Sequence, residues 1–209
     1  MTNDFLALSV RDFAAATADK TPTPGGGSVA GAVGMLGTAL GEMSLNFTRG
    51  KKKFAEHEEF YGHLSGRLAR ARAMFADLVA DDVAAYSYFQ ETSKLPEGPD
   101  KDQAQQTATA AAIAVPREAT KLALAVLEDL VALSDKCNPW LITDLVAAAV
   151  LAAAVTQLSD LNVRVNVPNV ADKLSADAMR TASRDDVARA RELLAKVEQA
   201  GDAILNGSH

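Results

Sequence analysis

The residues of this chain best suited to chemistry are two aspartates, a lysine run, a glycine turn and a pair of asparagines. Phe60, Leu64, Leu68, Ala71, Phe75 and Leu78, then Tyr86 and Phe89, recur at helical spacing and mark one apolar face. Asp82 continues that register between Leu78 and Tyr86. A carboxylate on such a face is costly unless it is paired or hydrogen-bonded. It is therefore either a structural bond to a neighbouring helix end or a group whose shifted pKa suits acid–base work. Asp81, one residue earlier, is rotated away toward solvent. Asp144 follows Thr143, which reads as the N-cap of a very apolar helix, so Asp144 lies in a first turn where the dipole favours its ionised form. Helical steps from Asp144 pass through Ala148, Leu151, Val155 and Ser159 to Asn162 and Asn166, placing a carboxylate and two amides along one line. The alternation Val163, Val165, Val167 offers a rival strand, but no second strand is there to pair with it, which favours helix up to Pro168.

The basic cluster is Arg49-Gly50-Lys51-Lys52-Lys53. Cations at the start of a helix oppose its dipole, so the run is either a solvated helix start or a seat for an anion. Upstream lies Pro22-Thr23-Pro24-Gly25-Gly26-Gly27-Ser28. Proline fixes φ and glycine frees it, which makes a turn of defined entry and adaptable tip, with Ser28 as the N-cap of the next helix. A glycine turn, a helix N-terminus and lysines are ingredients of an anion site. Here they stand at opposite ends of one helix of about 20 residues, roughly 30 Å long. They cannot grip one small anion on that helix. Either an elongated ligand spans them or a second subunit brings its lysines to the turn, and a dimer is the expectation.

These groups must be held by helices. Alanine dominance and few aromatics favour helix over strand. Ser9 and Asp12 form a capping-box-like start for a short helix ending near Lys20, with Phe5, Leu6 and Leu8 fastening it to the body. The next helix runs from Ser28 to about Arg49. Its Gly34, Gly37, Gly41 and Ser44 make a small-residue stripe, read first as close helix–helix packing and second as ligand contact. A long helix from Phe54 to Thr92 ends at the Lys94–Pro99 loop. Another runs from Asp100 to Lys136 and is kinked where Pro116 displaces the Ala112 carbonyl. Cys137-Asn138-Pro139-Trp140 turns the chain, with Trp140 expected as a packed anchor. After the Asp144 helix come a short helix, 170–180, and a final one opened by Ser183 and Asp186. The expected fold is all-α, a single-domain bundle of long helices over 1–209.

Composition narrows the function. Of 209 residues, 48% are hydrophobic, enough for a compact core and against disorder. The net charge of -6 gives no general attraction to nucleic acid or anionic membrane. Cys137 has no partner for an internal disulfide, and His57 and His63 are not on adjacent helical turns, so no metal site is expected. The apolar runs Val29–Phe47 and Leu145–Leu158 read as buried helices, the first because it carries Glu42 and Asn46, the second because it is short. No signal peptide opens the chain, and a cytoplasmic location is expected.

Pro24-Gly25-Gly26-Gly27-Ser28-Val29-Ala30, the small-residue helix and Asn46-Phe47-Thr48-Arg49-Gly50-Lys51-Lys52-Lys53-Phe54 together resemble the cyclodeaminase/cyclohydrolase family of folate enzymes. Further matches follow in the family's order: Asp82 and the Tyr86 region, Pro96, Ala114-Val115-Pro116, Asn138 before Thr143-Asp144, and Asn162-Val163-Arg164-Val165-Asn166. The resemblance covers nearly the whole chain. It implies an all-helical, usually dimeric protein with a tetrahydrofolate derivative as substrate and no metal or redox cofactor. Members either release ammonia from formiminotetrahydrofolate or hydrolyse methenyltetrahydrofolate to 10-formyltetrahydrofolate. With no room for a fused formiminotransferase domain, the resemblance favours hydrolysis; a non-catalytic folate-binding bundle is the bland alternative. Under that resemblance Asp144 is first choice and Asp82 second for the carboxylate at the reacting carbon, with Lys52 as the acid. Asn162 and Asn166 suit a pterin edge, Arg49 and Lys51 to Lys53 the glutamate tail, and Gly25 to Gly27 let backbone approach the ligand.

Overall fold

The computed structural model describes residues 4–207. It contains six α-helices: α1 (Val10–Ala18), α2 (Gly26–Asn46), α3 (Glu58–Ser93), α4 (Pro99–Ser134), α5 (Ile142–Asn166) and α6 (Lys173–Leu205). Short 3-10 helices join them, and no strand occurs among the described residues. The all-α expectation holds, and α5 runs as helix through Val163 and Val165 to Asn166.

Helices α2, α3, α4 and α5 form a ring, each packed on the next, and α6 lies along α4 and α5 outside it. Neighbours around the ring are antiparallel. Tyr61 near the start of α3 donates to the Lys136 carbonyl beyond the end of α4 at 2.7 Å. Thr48 beyond α2 accepts from the Asn138 N–H just before α5 at 2.9 Å. The core holds Tyr61, Leu68 and Phe75 of α3, Leu127 and Leu130 of α4, and Leu145 and Val155 of α5, all fully buried.

The glycines of α2 let this ring close tightly. A Cβ on Gly34 would lie 2.5 Å from the Phe75 ring; on Gly37, 2.9 Å from Leu151; on Gly41, 2.8 Å from Leu130. The stripe is a helix-packing surface, as its first reading held. Both α2 and the stretch Pro139–Asn169 are long and apolar enough to cross a membrane, and each has about half of that stretch buried inside the bundle.

Several boundaries differ from expectation. Ser28 is not the N-cap of α2: the helix starts at Gly26, Gly25 is the cap, and the Ser28 side chain bonds elsewhere. Thr143 does not cap α5 either, because Pro139–Leu141 already forms a 3-10 turn, capped by Asn138, that runs into the helix. The two expected C-terminal helices are one. Asp172 caps α6 through the Ser175 N–H, and Ser183 donates to Asp160 of α5 at 2.7 Å instead of starting a helix. Trp140 is 89% exposed, so it is not a packed anchor. With Lys51, Lys53 and Phe54 it lines a cavity of about 660 Å³.

Helix lengths decide where a ligand can sit. α2 has 21 residues, α3 and α4 have 36 each. α2 meets α3 at Asp82, so α3 continues 11 residues past the start of α2, about 16 Å. That overhang leaves an open end on the ring. Gly34→Ala should lower the urea midpoint, since overpacking against Phe75 costs about 1–3 kcal/mol while the helix-propensity gain is at most about 1 kcal/mol. An unchanged or higher midpoint would refute the close-packing role.

Candidate active site

The open end holds a cavity of about 350 Å³ between the glycine turn, α3, α4 and the end of α5. Its polar residues include Asp82, Asn162 and Asn166, and its apolar wall includes Phe89, Val115 and Val165. Gly25, Gly26 and Gly27 form one side of it.

Asp82 is fixed by the first turn of α2. Ser28 donates its hydroxyl to Asp82 Oδ2 at 2.7 Å, and the Ser28 backbone N–H also bonds the carboxylate. The free N–H groups of a helix start favour an anion. Gly27 is there because Asp82 is: a Cβ on Gly27 would fall 1.9 Å from Oδ1, far inside contact. Burial pushes the Asp82 carboxyl up from its ordinary value, and the two Ser28 bonds oppose that only in part. A desolvated carboxylate with a raised pKa, facing a cavity, is suited to taking a proton or to meeting a cation.

The asparagines stand on the opposite wall. Asn162 Nδ2 donates to the Leu158 carbonyl at 3.0 Å. Asn166 Nδ2 donates to the Asn162 carbonyl at 2.8 Å and to the Ala112 carbonyl of α4 at 3.4 Å. Asn162 lies against Gly26, where a Cβ would sit 3.7 Å from its Nδ2.

The predicted residues thus fall into two groups. Asp82, Gly25, Gly26, Gly27, Asn162 and Asn166 share the cavity. Pro24 and Ser28 are buried behind it and support the turn and Asp82. Arg49, Lys51, Lys52, Lys53 and Asp144 lie at the other end of the bundle. Asp144 is in the first turn of α5, five turns before Asn162, about 27 Å away along the helix. Asp144 therefore does not share the Asp82 cavity within one chain, and Asp82 replaces it as the carboxylate facing the amides. Arg49 is paired with Glu58 at 3.7 Å, whose carboxylate also accepts from the Gly50 N–H at 3.1 Å. Lys51 and Lys53 line the Trp140 cavity.

Sequence reasoning missed Phe89 and Tyr86 as cavity residues, because their register continues the core stripe. Asp82 was the available signal: a carboxylate in an apolar stripe marks where the stripe leaves the core. Among the described residues no group of three or more His, Cys, Asp or Glu is placed to hold a metal.

An all-helical ring with a half-polar cavity at one end, a desolvated carboxylate and paired amides has a form suited to a small-molecule ligand. The formiminotransferase-cyclodeaminase family model matches residues 9–185, and the chain belongs to that family. It is 30% identical to a methenyltetrahydrofolate cyclohydrolase of Methylorubrum extorquens over 81% of this chain and 84% of that protein. It is 28% identical to the mouse formimidoyltransferase-cyclodeaminase, covering 80% of this chain and 32% of that longer protein. The crystal structure of a formiminotetrahydrofolate cyclodeaminase from Thermotoga maritima superposes with a TM-score of 0.81 at 28% identity, covering 96% of this chain and 97% of that one.

Gly27→Ala should displace Asp82 and break its bond to Ser28. The expected result is a loss of about 100-fold in turnover, the lower end of what a general acid–base group contributes, with an unchanged helical circular-dichroism spectrum. Wild-type turnover would show that the Gly27–Asp82 contact does not position the carboxylate.

Proposed function

We propose that this protein hydrolyses methenyltetrahydrofolate to 10-formyltetrahydrofolate, with Asp82 as the base. The observation that carries this reading is the desolvated Asp82 carboxylate facing Asn162 and Asn166 across a cavity of about 350 Å³. The likeness to the Methylorubrum cyclohydrolase over most of both chains supports the choice of reaction.

The methenyl carbon is part of an amidinium-type cation. An ionised Asp82 stabilises that cation and takes the proton of an attacking water. The water oxygen bonds to the carbon and gives a hydroxyl adduct. As the bond from that carbon to the ring nitrogen breaks, the hydroxyl becomes the formyl C=O and its proton passes to solvent, while the nitrogen takes a proton from an acid that solvent later reprotonates; one proton is released overall. We assign the acid to Lys52. Lys52 lies at the far end of its own chain, so the proposal includes a homodimer in which a second copy supplies the lysine run. Exposed Trp140, Phe47 and Leu205 at the lysine end offer apolar area for such a contact. The carbon is already electrophilic, so the proposed route calls for no metal or redox cofactor, and chelator should leave the rate unchanged. The enzyme is proposed to be cytoplasmic, with no nucleic-acid or membrane partner.

The second reading is release of ammonia from formiminotetrahydrofolate, favoured by the structural match to the Thermotoga protein. Loss of the near-ultraviolet absorbance of methenyltetrahydrofolate tests the first reading; ammonia from formiminotetrahydrofolate tests the second. No acceleration of either reaction over buffer overturns both.

Asp82 must be ionised to act as a base, and its pKa is raised. Its kcat/KM should therefore fall with decreasing pH at a higher pH than the ordinary aspartate value of about 3.9 would give. Asp82→Asn should reduce kcat by about 100- to 10,000-fold and abolish that acid limb. A retained limb would assign it to another group. For the shared site, mixing inactive Asp82→Asn with inactive Lys52→Ala should restore activity, because a mixed dimer contains one site with both residues. No recovery after subunit exchange would place the two residues in separate functions.

A further inference from the structure

We propose that Pro116 is a positioning residue for this cavity, acting through the Ala112 carbonyl and Asn166. The inference rests on the folate reading for the identity of the ligand but not for the hydrogen bonding.

In an unbroken helix the Ala112 carbonyl would accept from the N–H of residue 116. Proline has none. Pro116 is buried, and α4 runs through it from Pro99 to Ser134 without interruption. The freed carbonyl does not remain without a donor: Asn166 Nδ2 reaches it at 3.4 Å from α5. The same Nδ2 donates to the Asn162 carbonyl at 2.8 Å. Two carbonyl oxygens thus flank one end of the Asn166 side chain, and that end must be the NH₂ group, because the opposite orientation would set oxygen against oxygen. With both N–H bonds engaged, the only hydrogen-bonding atom that Asn166 can offer the cavity is its oxygen, Oδ1.

Pro116 therefore fixes a chemical choice two helices wide. It makes Asn166 an acceptor on a wall that Ala112 also lines. This wall presents an amide acceptor and suits a ligand edge with N–H donors, leaving Asp82 on the opposite wall for the reacting carbon. The amino-pyrimidinone edge of a reduced pterin, with its exocyclic amine and ring N–H, has that chemistry. A helix that repaired its own Ala112 bond would leave the Asn166 amide held at one point and free to turn.

The test compares wild type, Pro116→Ala, Asn166→Ala and the double variant. Alanine restores the N–H at position 116, so Pro116→Ala should melt at or above the wild-type temperature. At the same time its Asn166 side-chain NH₂ signals should exchange with solvent faster. KM for methenyltetrahydrofolate should rise about three- to tenfold, the equivalent of one neutral hydrogen bond, with kcat changed less. The double variant should have the KM of Asn166→Ala, because both changes remove the same interaction. Higher stability with weaker binding is not what a purely structural proline would give. Unchanged Asn166 exchange in Pro116→Ala, or KM effects that simply multiply in the double variant, would overturn the proposal. A wild type that turns over no folate would sink the folate reading, while the exchange measurement still decides the role of Pro116.

Discussion

The bond between Asp82 and the first turn of α2 is the constraint on which the rest of the structure depends. It joins a carboxylate two-thirds of the way along α3 to the glycine turn that starts α2, through Ser28 and a contact so close that only glycine fits at position 27. That junction sets the axial offset of the two helices. Because α3 and α4 are much longer than α2, the offset leaves their ends projecting beyond the glycine turn, and the cavity lies beneath them. A half-buried, desolvated carboxylate is a poor way to stabilise a helix junction. Its cost is consistent with a position kept for chemistry, and the polar bonds around it hold it still without fully neutralising it.

The second fixed point is the meeting of α4 and α5 at Ala112 and Asn166. Together the two junctions determine what faces what: a negative carboxylate on one wall, carbonyl-type acceptors on the other, apolar side chains between them. Such a cavity favours a flat ligand with N–H donors and a delocalised positive charge. A methenyl folate has both. The lysines and Trp140 mark the other end of the same bundle, and the proposed homodimer is what gives one ligand access to both ends.

Much of this was legible in the sequence. Apolar spacing located α3, α4 and α5, and the interruption of the α3 stripe by Asp82 pointed to the site. Pro116 announced a freed carbonyl at Ala112, although only the fold shows that Asn166 takes it up. The misreadings share a cause. Ser28, Thr143 and Ser183 were assigned by local capping logic, yet the hydroxyls of Ser28 and Ser183 are used between helices, to Asp82 and Asp160. A sequence reports which hydroxyl could cap a helix but not which distant carboxylate will compete for it. Asp144 and Asn162 lie on one helical line, but 18 residues of helix put them at opposite ends of α5, a separation that was legible once the helix was assigned. The residue type of Trp140 suggests packing, whereas its exposure depends on where the bundle ends.

The central claim is that Asp82 is a desolvated carboxylate that meets the ligand. The most direct measurement is the pH titration of its side-chain carboxyl carbon by NMR, with and without tetrahydrofolate. The account predicts a midpoint above the ordinary aspartate value of about 3.9 and a shift of the signal when tetrahydrofolate binds. An ordinary midpoint, with a signal that does not respond to bound tetrahydrofolate, would contradict it.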